Sequence, residues 1–397
     1  MENSFATRMG KVKKSFIREI LKVAGDPEII SFAGGLPNPA LFPVDNMRAA
    51  CVKVLDESAR ALLQYQTSEG HGPLREFIAR RYRERWGFDA SADEVLVTSG
   101  SQQALDLIGK IFIDAGDRVV LERPGYLGAI QALGIYEPEF VQVELEDDGM
   151  DTARLAETLA ERRPKFIYTV PNFQNPSGVS YSRERREEVA RLAVDSGCYI
   201  IEDDPYGELR FRGESVPPIR LWAGANCIMT GSFSKTVAPG LRVGWVYAPR
   251  EVIDKLLIAK QAADLHSDSL SQRVLYQYLA DNDIDEHIAV IRDAYGRQRN
   301  AMVAAVKEHC PPDVKCTEPE GGMFLWMTLP KGLDSHALFD KAVAAKVAFV
   351  PGTPFYTDGG GANTMRLNYS NSDEEKIHEG IKRLGRVIKD AVAGGCA

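Results

Sequence analysis

No Cys-x-x-C pair, no run of 18 apolar residues and no block of lysines and arginines occurs in the chain. Each absence removes a class of protein. The six cysteines, Cys51, Cys198, Cys227, Cys310, Cys316 and Cys396, are scattered without metal-binding spacing, so no metal site is expected. Cys198 and Cys227 fall inside apolar, strand-like stretches and read as buried free thiols. The missing apolar run excludes a membrane-spanning helix, and the start, MENSFATRMGKVKKSF, has no apolar signal segment; the expectation is a cytoplasmic protein. A formal net charge of -8, with only Lys11, Lys13 and Lys14 as a short basic cluster, argues against a nucleic-acid partner. There is no internal repeat or low-complexity tract, and Gly359 to Gly361 is only a short flexible loop.

What is present is ordinary for a soluble globular enzyme. At 397 residues, 44% of them apolar, the chain can fill about two domains. Residues 11–24 have the periodicity of an amphipathic helix, with Phe16, Ile17, Ile20, Leu21 and Val23 on its apolar side. The stretch Gly34-Gly35-Leu36-Pro37-Asn38-Pro39 cannot be helical; its glycines allow either a tight turn or close approach of the backbone to a ligand. Helices are expected at about 45–61 and from Pro73 to about Trp86, with a polar, glycine-containing loop between them.

From about residue 94, apolar runs alternate with helical stretches. The expected strands are 94–98, 118–122, 139–143, 165–170, 198–202, 226–230 and 243–247. Continuous β-branched runs without strict alternation suit strands buried on both faces, hence an α/β fold with a mostly parallel, seven-stranded sheet covered by helices. A helical pattern covers 251–309. The last 85 or so residues read as a smaller α+β part, with strands near 322–327 and 365–369 and a terminal helix from about Ser372. The expected division is an N-terminal arm (1–45) packing with the small domain, a large domain (46–290) and a small C-terminal domain (291–397).

Parallel sheets place ligands at the carboxyl ends of their strands, so the residues after each run matter most. After 94–98 comes Ser99-Gly100-Ser101-Gln102, a small-residue turn opening a helix, which fits a phosphate cradle or a plain serine cap. After 118–122 the turn Arg123-Pro124-Gly125 ends in the aromatic Tyr126. After 165–170 comes the loop Pro171-Asn172-Phe173-Gln174-Asn175-Pro176, whose amides can meet a ligand or satisfy the turn. The run 198–202 ends in Glu202-Asp203-Asp204-Pro205-Tyr206; three successive acids at a buried strand end are costly unless something positive lies near. The run 226–230 leads to Ser232-Phe233-Ser234-Lys235 and on to Arg242. A lysine kept from bulk water can lose its proton and attack a carbonyl, and Ser232 and Arg242 could hold one phosphate beside it. Taken alone, Lys235 also fits a surface loop. Jointly, these loops suggest an anionic, aromatic, carbonyl-bearing cofactor.

Eight blocks, SFAGGLPNPALFP, TSGSQQALDLIGKIF, PNFQNPSG, EDDPYGEL, GSFSKTVAPGLRVGW, QAADLHS, PEGGMFLWM and MRLNYS, carry a resemblance over essentially the whole chain. It resembles fold-type I pyridoxal-phosphate aminotransferases of class I/II, in the branch of the 2-aminoadipate, kynurenine and aromatic aminotransferases. The resemblance implies that Lys235 forms the Schiff base and shuttles protons. It implies that Asp203 pairs with the pyridine nitrogen, that Tyr126 stacks on the ring, and that Asn175 and Tyr206 meet the ring hydroxyl. Ser99, Gly100, Ser101, Gln102, Ser232, Ser234 and Arg242 then form the phosphate and cofactor cup. Tyr65 reaches the neighbouring subunit's cofactor in a homodimer. Arg366 clamps the substrate α-carboxylate beside Gly34 and Gly35, with Asn175 close by.

Ser15 and Arg18, on the N-terminal helix, match positions that meet acidic side chains in the 2-aminoadipate branch, though a docking-helix arginine would look the same. The implied activity is ping-pong transfer of the amino group of an L-amino acid (2-aminoadipate, aromatic or branched-chain) to a 2-oxo acid, with 2-oxoglutarate the expected acceptor. A lyase or decarboxylase on the same fold is the alternative. A transcription regulator would need a basic helix-turn-helix module ahead of Gly34, where too few residues are expected to hold one.

Overall fold

The computed structural model describes residues 4–10 and 26–394, without the Arg162 side chain. The expected helix at 11–24, with Ser15 and Arg18, lies outside the described residues. Strand β1 (Ile30–Ser31) precedes two helices, Val44–Leu62 and Gly72–Trp86. The α/β part then follows: β2 (Val95–Thr98), β3 (Arg118–Arg123), β4 (Glu139–Glu146), β5 (Gly149–Met150), β6 (Phe166–Thr169), β7 (Tyr199–Asp203), β8 (Cys227–Ser232) and β9 (Gly244–Tyr247).

These eight strands form one sheet in the order β2-β9-β8-β7-β6-β3-β4-β5. Side chains alternate between its two faces. Leu96, Val119, Leu121, Tyr168, Ile201, Ile228 and Val246 enter one apolar core, while Val95, Val97, Val120, Ile167, Ile200, Met229 and Tyr247 enter the other. Burial on both sides is why the strands read as unbroken apolar runs. Helices Ser101–Phe112 and Arg250–Ala263 cover the first face; Val44–Leu62, Gly72–Trp86 and Arg183–Ser196 cover the second.

The strand count differs from the expected seven. β4 runs on to Glu146 and turns back through Asp147-Asp148 into the two-residue β5, paired antiparallel. Gly149, at φ +136°, takes a backbone conformation that side-chain-bearing residues avoid. β9 is the other antiparallel member, between β2 and β8.

The smaller sheet is fully antiparallel, in the order β10 (Lys315–Cys316), β11 (Phe324–Thr328), β14 (Thr364–Asn368), β13 (Val350–Pro351). The C-terminal helix Glu374–Ala393 buries Ile377, Ile381, Leu384 and Ile388, a stripe at helical spacing. The helix Ile284–His309 runs unbroken past residue 290. β1 pairs in parallel with β12 (Val347–Ala348), and Asn368 N donates to Phe32 O at 2.8 Å. These bonds draw the segment 31–38 across β14 and over the carboxyl edge of the large sheet.

Candidate active site

Parallel strands β2, β8, β7, β6 and β3 all end at one edge of the large sheet, and their following loops surround a cavity of about 360 Å³. Because β9 runs the other way, its entrance rather than its exit lies at this edge: Gly244 pairs with both Thr98 and Ser232. That reversal brings Arg242, just before β9, beside the turn after β2. Arg242 Nη2 donates to Ser99 O at 3.2 Å, and Arg242 sits in the left-handed region at φ +53°. Gly100 has φ +78°, and a Cβ there would come within 2.5 Å of Arg242 Nη2. The turn therefore favours glycine for its backbone angle, and the guanidinium packs directly against it.

Lys235, Asp203, Tyr126, Asn175, Tyr206, Ser101, Gln102, Ser232, Ser234, Arg242, Gly35 and Arg366 all line this cavity. Lys235 Nζ donates to Gly35 O at 2.9 Å. Burial, reinforced by Arg366 and Arg242, pushes its amine down to about 8. Such an amine is available as a nucleophile and a proton acceptor near neutral pH. Asp203 is buried at the end of β7. Its carboxylate accepts from Thr230 Oγ1 at 2.6 Å and Tyr168 Oη at 2.7 Å. Both donors are neutral, and burial raises the carboxyl to about 6 despite them. Asp204 turns away, accepting from Asn172 Nδ2 and Gly207 N.

Arg366 comes from β14 of the small sheet and is 2% exposed. Nη1 donates to Asn175 Oδ1 and Nη2 to Ala33 O, both at 2.8 Å. Its Nε has no hydrogen-bond partner among the described residues, and its guanidinium lies 4.4 Å from the Phe324 ring centre. Burial lowers its guanidinium to about 10. Asn175 Nδ2 in turn donates to Tyr206 Oη at 3.2 Å. A buried cation with no carboxylate beside it among the described residues and one unsatisfied N–H is a site for an anion.

Some candidates are already engaged, and others lie outside the cavity. The Ser99 hydroxyl faces Ser267 Oγ (3.2 Å) and Asp264, so only its carbonyl serves the Arg242 side. Gln102 Nε2 is engaged with Gly128 O. Gly34 is buried beside Gly35 in the same segment. Tyr65 is 78% exposed, edge-on to His266, and lines no part of this chain's cavity.

Sequence reasoning missed Glu122. At the end of β3, this buried carboxylate accepts from Thr169 Oγ1, Val170 N, Gln174 Nε2 and Tyr181 Oη at 2.6–3.0 Å. It thereby ties the loop carrying Asn175 to the end of β6. Its signal was an acid closing an apolar run, the same signal that drew notice at Glu202 to Asp204. Tyr168 and Thr230 were hidden because their meeting with Asp203 depends on the β6-β7-β8 register.

The residues present fit a phosphorylated pyridine aldehyde. They include a poised amine, a buried carboxylate lacking a positive partner among the described residues, and a helix start with Arg242 and serines to hold phosphate. This is the donor set of a pyridoxal 5'-phosphate-dependent transaminase. The chain belongs to the aminotransferase class I and II family, whose sequence profile matches residues 34–384. It is 46% identical over 395 residues to the aromatic-amino-acid aminotransferase 1 of Thermococcus litoralis, covering 98% of this chain and 95% of that protein. It is 42% identical to the 2-aminoadipate transaminase of Thermus thermophilus, covering 98% of each. The crystal structure of the α-aminoadipate aminotransferase LysN from Thermus thermophilus, complexed with N-(5'-phosphopyridoxyl)-L-leucine, superposes with a TM-score of 0.93 at 41% identity, covering 99% of each chain. The protein is a pyridoxal 5'-phosphate-dependent aminotransferase of this fold. Among the described residues, no helix is long and apolar enough to cross a membrane.

Proposed function

We propose that the protein moves the amino group of 2-aminoadipate and of aromatic L-amino acids to 2-oxoglutarate, with the roles below. The supporting observation is the meeting of an under-partnered amine, Lys235, with two buried charges, Asp203 and Arg366, that have no ion-pair partner among the described residues. Pyridoxal phosphate, when bound, supplies the electron sink that makes an amino acid's α-hydrogen acidic. Lys235 Nζ anchors the cofactor and then carries the α-proton. The Asp203 carboxylate holds a positive charge against it, at the position where burial otherwise favours its neutral form. Arg366 binds the α-carboxylate, oriented by Asn175. The amides at the start of helix Ser101–Phe112, with Ser232, Ser234 and Arg242, hold phosphate. Tyr126 covers the ring.

Substrate range follows from the cavity wall. Its cations among the described residues are Lys235, Arg242 and Arg366, and each already has a role. Tyr126, Leu127 and Phe324 offer apolar surface that suits an aromatic side chain. A distal carboxylate needs a further cation, and Arg18 fills that part in this reading, with Ser15 beside it. The named activities of the relatives support the same pair of substrates.

A panel of L-amino acids with 2-oxoglutarate as acceptor tests the reading. Turnover of 2-aminoadipate and of phenylalanine or tyrosine is expected, without lyase products. Arg18→Ala should raise KM for 2-aminoadipate more than for leucine; equal effects would remove Arg18 from the site. We also infer a homodimer in which exposed Tyr65 completes the neighbouring site, the N-terminal arm and C-terminal part forming the smaller domain. Mixing Lys235→Ala with Tyr65→Ala subunits should recover activity above that of either alone. No recovery on subunit exchange would overturn the shared site.

A further inference from the structure

Outside the cavity, two histidines meet across a helix pair. His309 lies on the last turn of Ile284–His309, and His378 on Glu374–Ala393. Their Nε2 atoms are 3.1 Å apart, with the rings nearly perpendicular. Glu308 brings one carboxylate oxygen to 3.6 Å from His309 Nε2 and the other to 3.6 Å from His378 Nε2. Nothing in the transamination chemistry uses these three side chains, and none lines the cavity.

We propose that Glu308, His309 and His378 form a binding site for a zinc-like divalent cation that clips the two helices together. Two imidazole nitrogens and a carboxylate are the donors that zinc takes, whereas calcium and magnesium favour all-oxygen shells. Ligand atoms bound at about 2.0 Å around a tetrahedral ion stand about 3.3 Å apart; the separations here, 3.1 and 3.6 Å, bracket that edge. The site is set by backbone packing. Gly385 lets the C-terminal helix approach so closely that a Cβ there would lie 2.4 Å from His309 O. The carbonyl end of a 26-residue helix adds a partial negative charge that favours a cation. His309 is 16% exposed and gives a fixed ligand, while the more open His378 and Glu308 leave room for a water as the fourth. Lys307 does not compete for Glu308, because it pairs with Glu318 at 2.5 Å.

The test uses tag-free holoenzyme, stripped with chelator and freed of excess cofactor, titrated with zinc chloride in a calorimeter. One ion per chain is expected, with a dissociation constant on the order of 10⁻⁶ M. His378→Ala and His309→Gln should each weaken binding at least tenfold, and Glu308→Gln several-fold, with transamination unchanged. Zinc should raise the thermal midpoint of the wild-type protein and leave that of His378→Ala in place. His378 is on the surface, so its variant folds; equal midpoints of the two proteins in chelator check this. Absence of saturable binding, or binding indifferent to His378→Ala, would overturn the site and leave the pair as a plain imidazole–imidazole hydrogen bond.

Discussion

Two lysines, the half-buried Lys235 and the fully buried Lys260, stand close in sequence and differ in what surrounds them. Lys260 is fully buried, and its Nζ donates to both oxygens of Asp264, to Ser267 Oγ and to Gln103 Oε1 at 2.9–3.1 Å. Lys235, among the described residues, has a single carbonyl acceptor and two arginines acting on its charge. The acids repeat the contrast. Glu122 is saturated by four donors, whereas Asp203 has two hydroxyls and an unmet demand for positive charge. Saturated groups stiffen the frame; the unsaturated ones await a ligand. A buried polar group left short of partners costs free energy until something supplies them, and here the shortfalls of both signs fall around one cavity.

Mutations can break this contrast. The largest effect belongs to Lys235→Ala, expected to lower turnover by at least about 10⁴-fold with the fold intact; loss of the visible absorbance of the bound cofactor is the check. Asp203→Asn should still take up cofactor while slowing α-proton removal by on the order of 10² to 10³-fold, read as a lost rate of α-deuterium exchange. Wild-type-like turnover would remove Asp203 from this role. Arg366→Lys keeps the charge and loses the fork, so kcat/KM should fall by about 10- to 100-fold, mainly through KM.

The pH response gives a subtler test. Burial raises Asp203 from 3.8 to about 6, so the folded chain without cofactor holds the protonated form more tightly than the unfolded chain does. Asp203 therefore costs the cofactor-free protein stability as pH rises through that window, and a positive partner removes the cost. The gap in thermal midpoint between cofactor-loaded and cofactor-free protein should widen from pH 4 to 7 in the wild type, and less in Asp203→Asn. Identical pH dependence in the two proteins would contradict this. On the saturated side, Glu122→Gln should lower stability by about 1 to 3 kcal/mol, since one of four donors then faces an amide N–H₂. Its kcat should change only a few-fold, as denaturant titration beside steady-state kinetics would show.

The strand ends could be read from sequence because burial on both faces writes unbroken apolar runs, and polar loops break them. The loops that hold Lys235, Asp203 and Asn175 stood out by their places after such runs, while the choice of those residues within them rested on the family resemblance. What stayed hidden depends on register or on distance along the chain. Thr230 meets Asp203 only because β7 and β8 pair as they do. Ser99 aims its hydroxyl away because Gln103 and Asp264 hold that side of the turn. The reversed hairpin at Gly149 had no apolar run of its own. His309 and His378 are 69 residues apart, beyond any local spacing rule.

Two cations of the cavity, Lys235 and Arg366, both lean on the backbone of one short segment, through Gly35 O and Ala33 O. Every residue type carries that oxygen, so no side-chain exchange at these positions can delete the acceptor. Only the path of the chain can move it. For protein engineering, the segment is a dial for geometry that leaves the charge pattern untouched. At position 35 even a methyl group would meet Phe324 at 3.3 Å, a contact a small ring shift relieves, nudging the Lys235 amine and the Arg366 guanidinium in concert.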